Sequence, residues 1–339
     1  MRASAVAGAE ESAQVTTLAL PLAFIVWAIP ILYPLSLPAM FRSAELTRTN
    51  VALGSTFLAL AIASSMVGPV AGWLALNWLD RDGLDRSRNR LLVHGALLAA
   101  VTPALFTGVR RIGGNQFVAW YVTTVLVALA ALLPISASAA VASLAKFRHI
   151  HATSAVVLAA FALAHVLNHS VAIVSLATNT AMLNALRLVY RQNIGQTVLV
   201  AAVALQVCTG LTMVSKYYLR RAAPLRNLQL LSGLYLAVFL ITHLITVFTV
   251  RRAGINTDFI WASHAPAGLL ATIATVPLLP RYALAVVAVF VHLACQARWN
   301  LSRLLSQSGA RTVSYGVMAL GAATTLVVAL AACGVHLMK

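Results

Sequence analysis

The stretch HATSAVVLAAFALAHVLNH, residues 151–169, sets three histidines into a run that otherwise has the length and apolarity of a membrane helix. Imidazoles are costly in lipid and in a span they mark either function or an interhelical hydrogen bond. The stretch has a second copy. Residues 151–166 lie without a gap over QLLSGLYLAVFLITHL, residues 229–244, with Ser154 on Ser232, Ala155 on Gly233, Phe161 on Phe239 and His165 on His243. The shared pattern is S-[AG]-x5-F-x3-H, and each copy is followed by a loop and another apolar run. The unit is a helix pair used twice.

The whole chain suits that setting. Of 339 residues, 61% are apolar and 9% are charged, far from the roughly 25% charged of a soluble domain. Apolar runs of about 20 residues, enough to cross a bilayer, recur from end to end. The fold class is therefore all-α, a polytopic membrane helix bundle. Nine spans are expected, at about 15–37, 51–79, 91–109, 117–146, 152–175, 194–215, 230–250, 281–301 and 312–336. The N-terminal segment has one Arg and two Glu and reads as the lead into a proline-kinked first span rather than as a targeting peptide. Residues 264–280, short and bounded by prolines, read as a surface-lying or re-entrant piece.

The formal charge of +17 comes from 24 Lys and Arg against 7 Asp and Glu. The basic residues cluster between apolar runs, as in YYLRRAAPLRN and TVRRAG. They read as anchors and contacts to anionic lipid rather than as a nucleic-acid surface. With nine spans, 14 Lys and Arg fall on the N-terminal face, called A, and 10 on face B, which favours A as the cytoplasmic or matrix-like side. Cys208, Cys295 and Cys333 have neither disulfide nor zinc spacing.

The chain divides into a four-span module, residues 1–147, for packing or partner docking, and a five-span domain, residues 148–339, built on the repeat. In the first, DRDGLDRSRNR (80–90) reads as a solvated loop, His94 as interfacial, and GPVAG (68–72) as small residues at helix-contact spacing interrupted by Pro69.

In the second, the two motif helices run in the same direction. His165 and His243 each lie 13 or so residues into their spans, roughly 20 Å below face A. Two imidazoles opposed at one depth in an apolar slot are what six-coordinate haem iron requires. The second helices of the pairs align too: AVALQVCTGL (202–211) over AVFVHLACQA (288–297) sets Gln206 against His292. His169 has no counterpart, since Val247 takes its place. It reads as structural polarity, a propionate contact or a substitute ligand.

FRHIHATSAVVLAAFALAHVLNH, LQVCTGL and RNLQLLSGLYLAVFLITHLITVFTVRR, with five spans and a plain last helix, give residues 148–339 a resemblance to a known family. They are similar to the membrane-anchor cytochrome b of succinate dehydrogenases and fumarate reductases, of the fused five-helix, two-haem kind. The resemblance implies a haem b held by His165 and His243, with His292 as one ligand of a second haem. Gln206 stands where that haem's other ligand belongs, with Gly210 in its expected place, which leaves the second site empty or five-coordinate. The family also implies a dehydrogenase or iron–sulfur partner, a quinone and a respiratory membrane, here the mitochondrial inner membrane in preference to a bacterial plasma membrane. The four N-terminal spans lie outside the resemblance.

Lys146, Arg148, His149 and His151 form a basic cluster at face A, and Arg251 and Arg252 one at face B. Each is read as anchoring or, with Ser154 and Ser232, as contact to propionates or quinone. Two rival functions remain at this level: an accessory or assembly subunit with structural or no haem, and a transporter. The transporter is weakened because all seven acids sit at span edges or in loops. No P-loop, dinucleotide fingerprint or HExxH motif is present.

Overall fold

The computed structural model describes the backbone of residues 2–109, 115–133 and 144–338, with side chains from residue 20 onward. It is all-helical among these residues: α1 Arg2–Leu46, α2 Val51–Met66, α3 Gly68–Arg81, α4 Arg90–Val109, α5 Gln116–Leu132, α6 Ala145–Val171, α7 Leu176–Tyr190, α8 Asn193–Tyr217, α9 Pro224–Arg252, α10 Phe259–Ser263, α11 Leu278–Leu301 and α12 Gln307–Ala332. Among the described residues seven helices are long and apolar enough to cross a membrane, and α2 with α3, bent by 48° at the break, form a broken span or a re-entrant loop. The protein is a polytopic helical membrane protein. Of the expected span 117–146 the described residues hold α5, whose 17 residues are apolar but shorter than the crossing helices; residues 134–143 of that expectation lie outside the described residues.

Loop contacts sort the helix ends onto two faces. At face A the α3–α4 loop meets the α8–α9 turn through Arg86 and Tyr218. At face B the C-terminal tail returns to the end of α6, Leu337 N–H donating to Ile173 O and Met338 N–H to Val174 O. The B end also carries the first difference from the sequence reading: α7, 15 residues with Asn179, Asn184 and Arg187 interrupting its apolar face, covers that end between α6 and α8. It is too short and polar to register in a search for spans. Arg187 and Arg191 tie it to Asn256 and Thr257 beyond α9.

Residues 264–280 form no tenth span. They fold into the B end as irregular backbone, with Leu269 and Val276 fully buried in one core cluster with Tyr33, Phe106, Trp120 and Phe259. Non-helical backbone at this depth must be covered by protein. Leu269 N–H donates to Ala332 O and Thr275 Oγ1 to Leu269 O. Gly268, at φ +83°, lies so close to Cys333 that a Cβ would meet its carbonyl carbon at 2.4 Å.

Five helices close a ring in which each packs on the next: α6 on α8, α8 on α9, α9 on α11, α11 on α12, and α12 back on α6. The N-terminal helices lie against one side of the ring, with α4 as their hub, touching α1, α3, α5, α9 and α11. Protein buries 78% of the apolar window of α4 but only 11% of that of α6. The first helix is held inside the protein; the second leaves most of its apolar surface uncovered by protein.

The GPVAG stretch explains how α3 reaches α4. The break at Val67 starts a new helix with Pro69 in its first turn, where a missing N–H costs nothing. Gly68 and Gly72 then stack on one face, and a Cβ on them would lie 2.1 Å from Ala99 O and 2.4 Å from Ala96 O. Proline therefore positions the small-residue contact rather than spoiling it. Gly72→Leu is expected to separate the helices and destabilise the protein by about 1–3 kcal/mol or more, read as a lowered unfolding temperature in detergent.

The α3–α4 loop is also not simply solvated. Arg86 is completely buried, pairing with Asp80 at 2.6 Å and donating to Asn227 Oδ1 at 2.6 Å and Tyr218 O at 3.0 Å. It joins the N-terminal helices to the start of α9.

Candidate functional site: two tiers of histidine in the five-helix ring

Helix lengths place the histidines in two tiers. His165 and His243 lie 20 residues after Ala145 and 19 after Pro224, roughly 30 Å along their helices from face A. That is deeper than the sequence suggests, because α6 begins seven residues before the expected 152. His151 lies six residues after Ala145 and His292 nine before Leu301, which puts both about 9–14 Å from face A. All four residues are half-buried.

In the tier towards face B the repeat recurs as ring geometry. Phe161 stacks on His165 with centroids 5.4 Å apart and planes at 16°; Phe239 stacks on His243 at 5.2 Å and 13°. The i, i+4 spacing puts each pair on one face, and helical rotamers lay each ring over the preceding turn. His169 Nε2 lies 3.0 Å from His165 Nε2, so one of the two carries the proton between them. His169 comes within electrostatic reach of His243 as well. Its Nδ1 is buried with no hydrogen-bond partner, and Phe259 of α10 covers it at 5.4 Å.

A residue the sequence reading passed over stands in this tier. Arg281 is 3% exposed, donates to Thr242 Oγ1 at 3.1 Å and lies over the Phe239 ring at 5.3 Å. It is within electrostatic reach of His243. The expected span began at this arginine, which made it an edge charge; α11 begins at Leu278 and carries it one turn inside. The signal available in sequence was PLLPR, since proline is favoured in a first helical turn.

In the tier towards face A the repeat recurs as hydrogen bonds. Gln206 Nε2 donates to His151 O and to Ser154 Oγ, the latter at 2.9 Å. At the equivalent positions His292 Nδ1 donates to Gln229 O at 3.2 Å and to Ser232 Oγ at 3.3 Å. Gln206 thus occupies the place of His292 in its own half of the fold. Ser154 and Ser232 serve these two side chains.

His151, read from sequence as an edge residue, turns into the bundle: Nδ1 meets Thr209 Oγ1 at 2.9 Å, and its ring centroid lies 6.4 Å from that of His292. His149 and Arg252 are exposed. Arg251 donates to Gln196 at 3.2 Å. His94 bonds its own helix at Arg90 O and edges onto Tyr218.

Among the described residues no three of His, Cys, Asp and Glu gather closely enough to hold a metal ion. The class defined by fold and site is a helical membrane protein with paired intramembrane histidines. Comparison with protein-family models, curated proteins and solved structures gave no match in any of the three.

Proposed function

We propose that the chain is a cytochrome b-like membrane protein in which His165 and His243 hold one haem b. It would carry electrons between a dehydrogenase or iron–sulfur partner and a quinone, as the membrane anchor of a complex of the succinate:quinone oxidoreductase type. The observation that carries this reading is the duplicated Phe–His stack on α6 and α9, at one depth. A metal with two imidazoles and no further protein donor must be a chelate, and haem iron is the common case. When bound, haem supplies one-electron redox chemistry.

The chain's residues have distinct parts in this. His165 and His243 present nitrogen, and His169 holds the His165 ring by the bond that iron would displace. Phe161 and Phe239 fix the ring planes. Arg281 supplies a buried positive charge suited to a propionate. Ligation needs His165 Nε2 unprotonated, which His169 permits by carrying the shared proton. The basic faces suit an anionic, energy-transducing membrane, and the mitochondrial inner membrane is the compartment proposed.

A pyridine haemochrome assay on purified protein tests the reading. Haem is expected in the wild type, with the His165–His243 component lost in both His165→Ala and His243→Ala. Protein without haem, or with a haem content and spectrum unchanged in both variants, would leave an accessory subunit that keeps only the fold. Arg281→Leu should retain the haem and lower its midpoint potential by tens of millivolts, because removing a nearby cation favours the more positive oxidised iron. Potentiometric titration of that variant checks the sign.

A further inference from the structure

Where the end of α7, the start of α8 and the end of α9 meet at face B, three arginines gather with neutral partners only. We propose that Arg187, Arg191 and Arg251 form, with the first turn of α8, a site for the phosphate of an anionic phospholipid headgroup. The inference does not rest on haem binding.

The first observation is the grouping itself. Arg187 Nη2 donates to Asn256 Oδ1 at 2.9 Å and to Thr257 O at 3.2 Å. Arg191 Nη2 donates to Thr257 Oγ1 at 3.0 Å. Two guanidiniums thus converge on one residue of the α9–α10 connection. Arg251 Nη1 donates to Gln196 Oε1 at 3.2 Å, in the opening turn of α8, and its charge reaches Arg191. Burial, and then the neighbouring charges of Arg187 and Arg251, hold the Arg191 guanidinium below its ordinary value. An anion placed among them relieves that repulsion.

The second is the lack of an acid to do so. Every acceptor just named is neutral: a backbone carbonyl, a hydroxyl or a carboxamide. Among the described residues the two ion pairs are Arg81–Asp82 and Arg86–Asp80, so no carboxylate pairs with these arginines. Asp258 follows Thr257 in the chain, but its oxygens accept from Asn256 Nδ2 and from the Trp261 N–H at the cap of α10.

The third is the supply of donors. Nε of Arg187 and Nε of Arg191 are both buried without a hydrogen-bond partner, and a buried donor without an acceptor marks a place for a bound group. Gln192, the N-cap of α8, makes no side-chain bond to the first turn. Helix N-termini left in this way favour phosphate through their N–H groups and dipole. Gly195 lets that turn lie against the end of α7, since a Cβ there would collide with Val189 O. Arginine forks add the planar, paired donors that phosphate oxygens accept best.

The fourth is what carries the phosphate. Leu188 and Val189, between the two arginines of α7 in the chain, and Ile194, at the start of α8, are all exposed. Apolar side chains beside a basic pocket at a membrane face suit acyl chains, which makes the carrier a lipid.

Native mass spectrometry of the full-length, delipidated protein with phosphatidylglycerol or phosphatidylcholine tests the site. The wild type is expected to bind phosphatidylglycerol more tightly than phosphatidylcholine. Arg191→Gln and Arg251→Gln should each weaken phosphatidylglycerol binding about tenfold, as loss of a charge-assisted hydrogen bond does. Arg252→Gln removes an exposed charge from the same end of α9 and should cost clearly less, because that charge acts only through a screened field. Arg191→Lys guards against a folding defect: it keeps the charge and should recover part of the binding lost in Arg191→Gln. Inorganic phosphate in large excess should leave the lipid in place. Equal binding of the two lipids, equal losses at Arg251 and Arg252, or no recovery in Arg191→Lys would each overturn the inference. Displacement by inorganic phosphate would overturn the lipid as occupant in favour of a free anion.

Discussion

Arg86→Ala is expected to destabilise the protein by about 3–5 kcal/mol, the range for breaking one side of a buried ion pair. The guanidinium is fully enclosed and Asp80 is nearly so, at 11% exposure. Arg86 donates through Nε and Nη2 to the two Asp80 oxygens, through Nη2 to Asn227 as well, and through Nη1 to Tyr218 O. Asp80 in turn accepts from Asn227 Nδ2 at 2.8 Å, and Asn227 also donates to Asn77 at 2.7 Å. Removing the arginine takes the counter-charge from a buried carboxylate and a donor from two further acceptors, Asn227 Oδ1 and Tyr218 O. Thermal unfolding in detergent reads the loss. The double variant Asp80→Leu/Arg86→Leu should be less damaged than Arg86→Leu alone, since both charges then leave the apolar interior together. A double variant as unstable as the sum of its parts would show that the pair is not one unit.

Trp120→Ala is expected to cost about 3–5 kcal/mol, the range for emptying a large buried aromatic site. Trp120 is fully buried and meets Phe106 edge to face at 5.4 Å. Its indole N–H donates to Pro30 O at 2.9 Å. That carbonyl lacks its helical donor because residue 34, one turn on, is a proline with no N–H. The tryptophan of α5 thus satisfies a polar group that the proline in α1 exposes. Trp120→Phe, which keeps most of the bulk, isolates the bond and should cost about 1–3 kcal/mol. Adding Pro34→Ala to that variant gives Pro30 O an N–H again. Part of the lost unfolding temperature should then return.

The histidine site was partly legible in one dimension. The motif S-[AG]-x5-F-x3-H told which residues share a face and a depth, and the Phe–His stacks of both copies follow from its i, i+4 spacing. The alignment of Gln206 with His292 likewise anticipated two side chains that make matching bonds. The role of His151 was not legible. Its place near face A read as membrane edge, but α6 starts at Ala145, so the histidine is already nearly two turns inside the helix. Arg281 was missed in the same way at the start of α11. A polar first turn hid the start of α6 and two prolines hid that of α11, since hydropathy detects where a span becomes apolar and not where hydrogen bonding begins.

The sequence by itself determined the membrane class and the order of the spans, because a bilayer demands runs of about 20 apolar residues and the chain repeats them. It also determined the duplicated helix pair and the faces its histidines share, because helical periodicity is local. Only the tertiary structure decided that α12 returns to α6 and closes the ring, that Arg86 is buried, and that the His151 ring lies 6.4 Å from that of His292. Those facts depend on how each helix is rotated and set against its neighbours. Side-chain packing between distant segments fixes that rotation, and the spacing of residues along one helix does not encode it.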